Sequence, residues 1–570
     1  MEKAEKYFKF VIPAMLFAAA SAFFGIAYPF HICYQEQFQL FEFTSEYFLS
    51  TVSVPGGLSD WLGLFLTQFF LYGWAGAAIT ASLVTLLYLL CTWVARGKSL
   101  ISRTLLIIPT SAFFVFLTDE RALAGALIAV SATLATVLFI RKSGSRRTRS
   151  ALVIICTPVL YWICGPVAVI LPIIGAKDIH PAAFASAVII AAASPFAASL
   201  HLHYGIRALA FGVHYFRYAT VIPKMLWIAV ILTAVTCLLP DIRLKKRTPE
   251  LLLWGICLIA VVAASVKAVG KAADFKKEEM MSYDYMSRFQ MWDGIVSSAK
   301  EKQPDRPLSV SCLNLALSQT GRMTEDMFKF YQNGTAGLFP PFSRVFTTPL
   351  STAEIFWHLG LVNAAQHFTF EAQEAIPDFH KSGRCYRRLA ETNLVNGDYE
   401  VAAKYLNALS HTLFYRKWAE NTVSLLGDET AIDAHPLYGK LRKMRVHEKD
   451  GWFKDTAVDS VLVDIVTEQP DNCIAKDYLL AWYLLDCNLD AFAKHFDSSR
   501  QGPAAKTYQE AYLMYMIDHQ VPIENAPSFV EAATAERFLR FIKDVQKGQA
   551  KAFITRTYGD TYWYYALYRR

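Results

Sequence analysis

The sequence predicts an all-α protein in two parts. A polytopic transmembrane helix bundle of 8–9 spans covers 1–275, and an α-solenoid of helical repeats follows over 280–570. Three observations predict this. The 570-residue chain is 54% apolar and only 18% charged, where soluble domains carry about 25% charge. The charge is unevenly spread: residues 1–270 hold 21 Lys and Arg against 11 Asp and Glu, and residues 271–570 hold 35 against 38. Apolar runs of about 20 residues, the length a spanning helix needs, recur through the first part and stop near residue 270. These features exclude a purely soluble enzyme, a disordered chain and a secreted disulfide scaffold. Nucleic acid is not an expected partner, because the positive excess sits between apolar runs rather than on one soluble face.

The first span, 10–30, follows Lys3, Lys6 and Lys9. Its apolar run continues past Ala20-Ser21-Ala22, so it reads as an uncleaved anchor. Further spans are expected at 68–95, 104–118, 122–140, 151–174, 182–203, 225–240 and 250–268. Several carry proline (Pro109, Pro158, Pro166, Pro195), whose freed backbone groups the bundle must satisfy. Orientation follows Lys and Arg. None occurs between residues 10 and 95, so the loop with Glu36, Glu42, Glu46 and Asp60 belongs outside. Arg96, Lys98 and Arg103 then lie inside, as do Arg141, Lys142, Arg146, Arg147 and Arg149. Asp119-Glu120-Arg121 and Lys177-Asp178-Ile179-His180 are expected outside.

Residues 204–223, which contain Arg207, His214 and Arg217, leave two readings. If they lie on the surface, there are eight spans and the C-terminal domain is cytoplasmic. If they cross, there are nine, Arg243, Lys245, Lys246 and Arg247 fall inside, and the C-terminal domain is exported. Lys267, Lys271, Lys276 and Lys277 pull against export; the dense cluster at 243–247 favours it. The expected location is the inner (cytoplasmic) membrane, with the C-terminal domain extracytoplasmic.

From about 280 the pattern changes to amphipathic helices separated by short turns. A 34-residue register started at Gly383 puts Tyr386, Leu389, Ala390, Gly397, Tyr399, Ala402 and Leu406 at the positions where small and large residues alternate between two touching helices. Registers from Ala353 and Pro307 fit more loosely, and a further copy runs through 480–496. This part resembles tetratricopeptide-repeat (TPR) proteins over roughly residues 285–500, which implies a solenoid with a concave face for a protein or peptide partner. The aromatic, proline-rich stretch 334–349 reads either as a lid or as buried packing. The aromatic C-terminus, Tyr558–Arg570, reads as core packing, with carbohydrate stacking or a membrane interface as the alternatives.

The ten cysteines show no CxxC pair and no metal-ligand spacing, and read as small core residues. No Walker loop, GxSxG, HExxH, GxGxxG or kinase pattern occurs. What remains is a set of acids expected on one side: Glu36, Glu42, Glu46 and Asp60, then Asp119 and Glu120, then Asp178 with His180. After the first acids, Pro55-Gly56-Gly57 makes a turn and 58–72 is expected along the membrane interface.

An acidic first loop, an interfacial helix and a second acid pair resemble the GT-C class of polytopic glycosyltransferases, over residues 31–120. The chain departs from that class in having no DxD and an isolated Glu36 in place of a doublet. The resemblance implies Glu36 as catalytic base or ligand of a divalent metal, with Asp119 and Glu120 as second-loop acids. It implies Arg207 and Arg217 as contacts for a polyprenyl-phosphate sugar, since guanidinium binds phosphate bidentately. The whole chain also resembles a bacterial family of polytopic membrane proteins with helical-repeat tails, which supplies no activity. Two functions follow as expectations: a glycosyltransferase using a lipid-linked sugar, or a membrane anchor whose repeats recruit a protein.

Overall fold

The computed structural model describes residues 2–95, 99–244, 247–341, 343, 347–377, 380–445, 457–499 and 502–568. Arg96, Lys98, Lys245, Lys246, Phe342, Arg344, Val345, Phe346, Arg569 and Arg570 lie outside the described residues, as do the side chains of Lys3, Lys6 and Arg247. Every named element is helical. The extended backbone among the described residues pairs in one isolated bridge, Ala122 to Phe216. The chain forms two compact units. The first comprises Met1–Glu278 with Ile376–Gly383 and Ala408–Lys417, and the second comprises Glu279–Ala375, Arg384–Asn407 and Trp418–Arg570.

Among the described residues of the first unit, seven stretches are long and apolar enough to cross a membrane: Phe8–Ala27, Gly73–Ala95, Leu100–Leu117, Ala124–Lys142, Arg146–Asp178, Pro181–Ser199 and Thr248–Ala272. Lys224–Leu238 is apolar but only 15 residues long. Thr248–Ala272 leaves Leu252, Ile256, Ile259 and Val266 each at least 65% exposed. A soluble surface rarely carries such a continuous apolar stripe, whereas lipid covers it without cost. Where helices touch each other, small residues permit it. A Cβ on Gly76 would come within 2.3 Å of Ile32.

One orientation expectation is corrected. Residues 151–174 read as a single span that would leave Asp178 and His180 opposite Arg141–Arg149. The helix instead ends at Cys164, and Gly165 takes a left-handed φ of +76°. Pro166 then opens a new short helix, Pro166–Val169, followed by Ile170–Gly175. The chain doubles back. Asp178 meets Arg141 at 2.8 Å and Arg149 at 3.6 Å, and the His180 N–H donates to Ser150 Oγ at 3.0 Å. The physical reason is local: glycine tolerates the reversal, and Asp178 neutralises the guanidinium groups that lie there. Lys177 donates to the Leu238 carbonyl at 3.1 Å, and Asp241 accepts from the Ser99 N–H at 3.0 Å, so these segments gather at one end of the unit.

At the other end lie the first loop, 119–123 and 204–223. Residues 204–223 contain only a six-residue helix, Ile206–Phe211. They are tied to that end by Arg217 N–H to the Arg121 carbonyl (2.8 Å) and Leu123 N–H to the Tyr215 carbonyl (3.2 Å). The last long helix finishes there as well. The Asp274 N–H donates to the Tyr28 hydroxyl at 3.2 Å, and Glu278 accepts from the N–H groups of Phe30 and His31 at 2.7 and 2.8 Å. Those two donors open helix Pro29–Glu36, where free N–H groups favour a carboxylate.

The second unit is built from short helices packed pairwise, among them Trp292–Glu301 with Pro307–Gln319, Thr347–Leu359 with Val362–Glu374, and Val458–Glu468 with Cys473–Leu485. Its core runs from Tyr283 through Phe356, Trp357, Tyr478 and Phe492 to Tyr562. Leu389, Ala390, Ala402 and Leu406 are fully buried. The buried Arg384 bridges Asp284 (2.7 Å) and Glu354 (3.5 Å), and Arg388 pairs with Glu354 and Glu391. The stretch 334–349 is packed where it is described: Leu338 and Phe339 are buried, and Phe339 stacks on Phe356. The aromatic C-terminus is packed too, with Tyr562, Trp563, Tyr564 and Tyr565 all buried.

Candidate functional site

The site grows from two glycines. A Cβ on Gly63 would meet the Gly125 backbone at 2.5 Å, and one on Gly125 would meet Asp60 Cα at 3.0 Å. Only glycine lets helix Gly57–Thr67 lie this close to the start of Ala124–Lys142. That contact sets Asp60, in the first turn of its helix, 1% exposed inside the unit. Helix Gly57–Thr67 is thus packed rather than merely lying along an interface: Ser59 Oγ donates to the Ile163 carbonyl at 2.9 Å, and the Gly56 N–H to that of Trp162 at 2.8 Å.

Asp60 is answered from 154 positions along the chain. His214 Nδ1 lies 3.1 Å from Asp60 Oδ2, with both side chains nearly buried. Its neighbour Tyr215 fixes this placement. The Tyr215 hydroxyl donates to the Cys164 carbonyl and accepts from the Val167 N–H at 3.1 Å, which plugs the reversal at Gly165. Gly212, at φ +106°, leaves room for the Tyr215 ring. Asp60 Oδ2 is within ion-pair reach of Nδ1 but accepts no hydrogen bond, so the contact brings a carboxylate and an imidazole together without fixing the ring's tautomer.

Arg217 completes the group. Its guanidinium lies 2.9 Å from the Phe38 ring centroid, and Nη2 donates to the Glu120 carbonyl at 2.9 Å. The residue is 8% exposed, and its Nε is buried without a hydrogen-bond partner. Burial lowers Arg217 to about 10, so it remains a cation at neutral pH. Asp60, His214 and Arg217 line one narrow cavity, with room for only a water or two, together with Gln35, Gln39, Thr67 and His380. The lining thus brings together a buried cation, a carboxylate and an imidazole, groups of the kind from which anion binding and proton transfer are built.

The acids singled out from the sequence fare differently. Glu36 is 3% exposed rather than solvated, and it accepts from the Tyr415 hydroxyl at 2.9 Å. Asp119 is chelated by Arg121, through Nη2 at 2.8 Å, Nε at 2.9 Å and the backbone N–H at 2.9 Å. Burial would raise Asp119, but those three donors hold it below the usual carboxylate range. Glu120 is joined to Lys277. Glu42 pairs with Lys381 at 2.7 Å, and Glu46 is exposed. Arg207 is exposed and absent from the cavity lining, so Arg207 and Arg217 do not act as a pair. Among the described residues, no group of three or more His, Cys, Asp or Glu is arranged to hold a metal ion.

Sequence reasoning named Asp60 only as one acid in the first loop, and His214 only as a polar interruption of an apolar run. The signal available was that pairing: a histidine and two arginines within 204–223, where hydrophobicity alone predicted none. His380 carried no signal. No curated protein and no solved structure matches this chain. A family model does match, over residues 5–569, and the chain belongs to that family, the Family of unknown function (DUF6057).

Proposed function

We propose that this protein is a membrane-embedded transferase acting on a lipid-linked phosphate substrate, a GT-C-like glycosyltransferase whose working groups are Asp60, His214 and Arg217. The observation that carries the reading is the buried Asp60–His214 pair beside the idle Nε of Arg217 on one cavity. In this reading Arg217 binds the phosphate of a polyprenyl-phosphate sugar. His214 Nε2 takes the proton from the acceptor hydroxyl, and Asp60 steadies the imidazolium that forms. Glu36, Asp119 and Glu120 shape the surrounding loops. Asp60→Asn and His214→Gln should each reduce by about 100-fold or more the cell-surface glycan or glycoprotein that depends on the gene. Full restoration by both variants at normal expression would sink the proposal.

The same end of the unit carries Glu278 and the late segments 376–383 and 408–417, which supports an exported C-terminal region. Cys473 is an exposed native thiol. With the other nine cysteines replaced, an impermeant maleimide should label it in intact spheroplasts. Labelling only after lysis would refute export. A second reading, a membrane anchor with TPR-like repeats, is favoured by the full burial of Leu389, Ala390, Ala402 and Leu406, the positions a repeat needs filled. That reading takes the lead if the Asp60 and His214 variants are silent.

A further inference from the structure

The turn Pro55-Gly56-Gly57 is preceded by an eight-residue helix, Ser45–Val52, whose N-terminus is capped by Thr44 Oγ1 accepting from the Tyr47 N–H at 3.2 Å. Its side chains sort into three sides, as residues four apart on a helix do. Tyr47 and Thr51 share the inward side; the Tyr47 ring lies 5.4 Å from that of Phe41, and its hydroxyl is buried. Phe48, Leu49 and Val52 share a second side, on which Leu49 is 63% exposed. Glu46 and Ser50 share a third, exposed and polar. What covers the apolar side is settled by a neighbour in the fold. The crossing helix Arg146–Cys164 exposes Ile155, Val159 and Trp162, spaced four and three residues apart along one face, as a lipid-facing stripe. Trp162, near the end of that helix, donates its indole N–H to the Val52 carbonyl at 3.2 Å. The stripe therefore ends against the short helix, at a residue of its apolar side. An exposed indole ring with its N–H on a carbonyl suits the boundary between acyl chains and headgroups. Trp74, at the start of the crossing helix Gly73–Ala95, is exposed as well.

We infer that helix Ser45–Val52 lies in the bilayer surface, with Phe48, Leu49 and Val52 against the upper acyl chains and Glu46 and Ser50 toward the headgroups. Its partner is the apolar boundary of the leaflet rather than an anionic lipid. No Lys or Arg occurs between residues 10 and 95, so negative headgroups do not attract this surface, and burial of apolar area alone drives the contact. Helix Gly57–Thr67 follows within five residues, and the Gly56 N–H donates to the Trp162 carbonyl at 2.8 Å. Docking thereby fixes the depth of Asp60 relative to the leaflet. A transferase and an anchor would use such a helix alike, so the docked surface stands apart from any role of Asp60.

The test is spin labelling of the full-length protein in phosphatidylcholine nanodiscs, in a background without the native cysteines, with Glu46→Cys, Phe48→Cys, Leu49→Cys and Ser50→Cys labelled one at a time. In power saturation, oxygen should outcompete a water-soluble nickel chelate at 48 and 49 by about 3-fold or more, with the reverse order at 46 and 50. Adding phosphatidylglycerol, or raising salt to about 1 M, should leave that pattern unchanged. Nickel-dominated relaxation at 48 and 49 would mean that water covers the face, and exclusion of both reagents would mean that protein does; either overturns the inference. So does a pattern that appears only with phosphatidylglycerol. Because replacing the native cysteines can disturb the bundle, the unaltered sequence is tested in parallel with a phospholipid bearing a diazirine on its upper acyl chain. Photo-adducts are expected within 43–54, and adducts confined to the crossing helices overturn the inference as well. Each of these outcomes is independent of the Asp60 and His214 complementation.

Discussion

Asp60 and Asp119 sit at the same end of the first unit, yet the fold uses them in opposite ways. Asp119 is closed by Arg121, two residues away, and the pair is partly solvated, 31% and 41% exposed. Asp60 is sealed among glycines and its partner comes from a distant turn. A carboxylate that finds a cation within its own turn is neutralised before the rest of the chain matters. One that meets a histidine across a tertiary contact is set beside a titratable group rather than a permanent cation. The contrast teaches that a conspicuous doublet such as Asp119-Glu120 is paired by its neighbours in the chain, whereas Asp60 is placed by a distant contact.

The largest expected effect is on that contrast itself. Asp60→Asn should lower activity by about 100-fold or more, while Asp119→Asn should change it by no more than about threefold. Measuring both in the same complementation assay, with expression and thermal melts as controls, breaks the comparison if the two behave alike. Arg217 sharpens it. Arg217→Met should raise the apparent substrate requirement by about 10- to 100-fold, and Arg217→Lys should recover part of that, since a point charge replaces a fork.

Stability offers two finer tests. Burial pushes Glu278 up to about 7 despite its two backbone donors. A carboxyl raised in the folded state stabilises most fully below its unfolded value near 4.5 and loses that contribution as pH rises through about 7. Stability of the full-length protein should therefore fall by about 2–3 kcal/mol between pH 4.5 and 8, and Glu278→Gln should flatten the curve. A curve of the same slope in the variant removes Glu278 from the account. The smallest effect is expected for Asp119 and Arg121, whose double-mutant cycle should give a coupling below about 1 kcal/mol because water screens the pair.

Much of the architecture was legible because it depends on composition summed over many residues. The long apolar runs and the switch to amphipathic helices near 280 each average over a score of side chains, and single errors cancel. The burial of Leu389, Ala390, Ala402 and Leu406 was legible for a similar reason, since apolar residues at helical spacing mark a buried face. The reversal at Gly165 was not. Its evidence is one glycine before one proline, and what makes it a turn is the Tyr215 phenol, 50 positions later, satisfying Cys164 and Val167. Counting Lys and Arg then misassigned Asp178, because the rule weighs charge between helices and here the chain turns at Gly165 and returns to the arginine end.

The sequence by itself determined that this is an all-α chain with apolar helices of membrane-crossing length and a polar helical second half, because hydrophobic period and run length are local properties of the chain. Only the tertiary structure decided which acids are spent on neighbouring arginines and lysines and which one faces a histidine. It also decided that residues 376–383 and 408–417 join the first unit, and that Arg217 is buried while Arg207 is exposed. The reason is range. Solvation of a helix is settled within about 20 residues, whereas a proton-transfer pair is settled by whichever side chain the fold brings within about 3 Å.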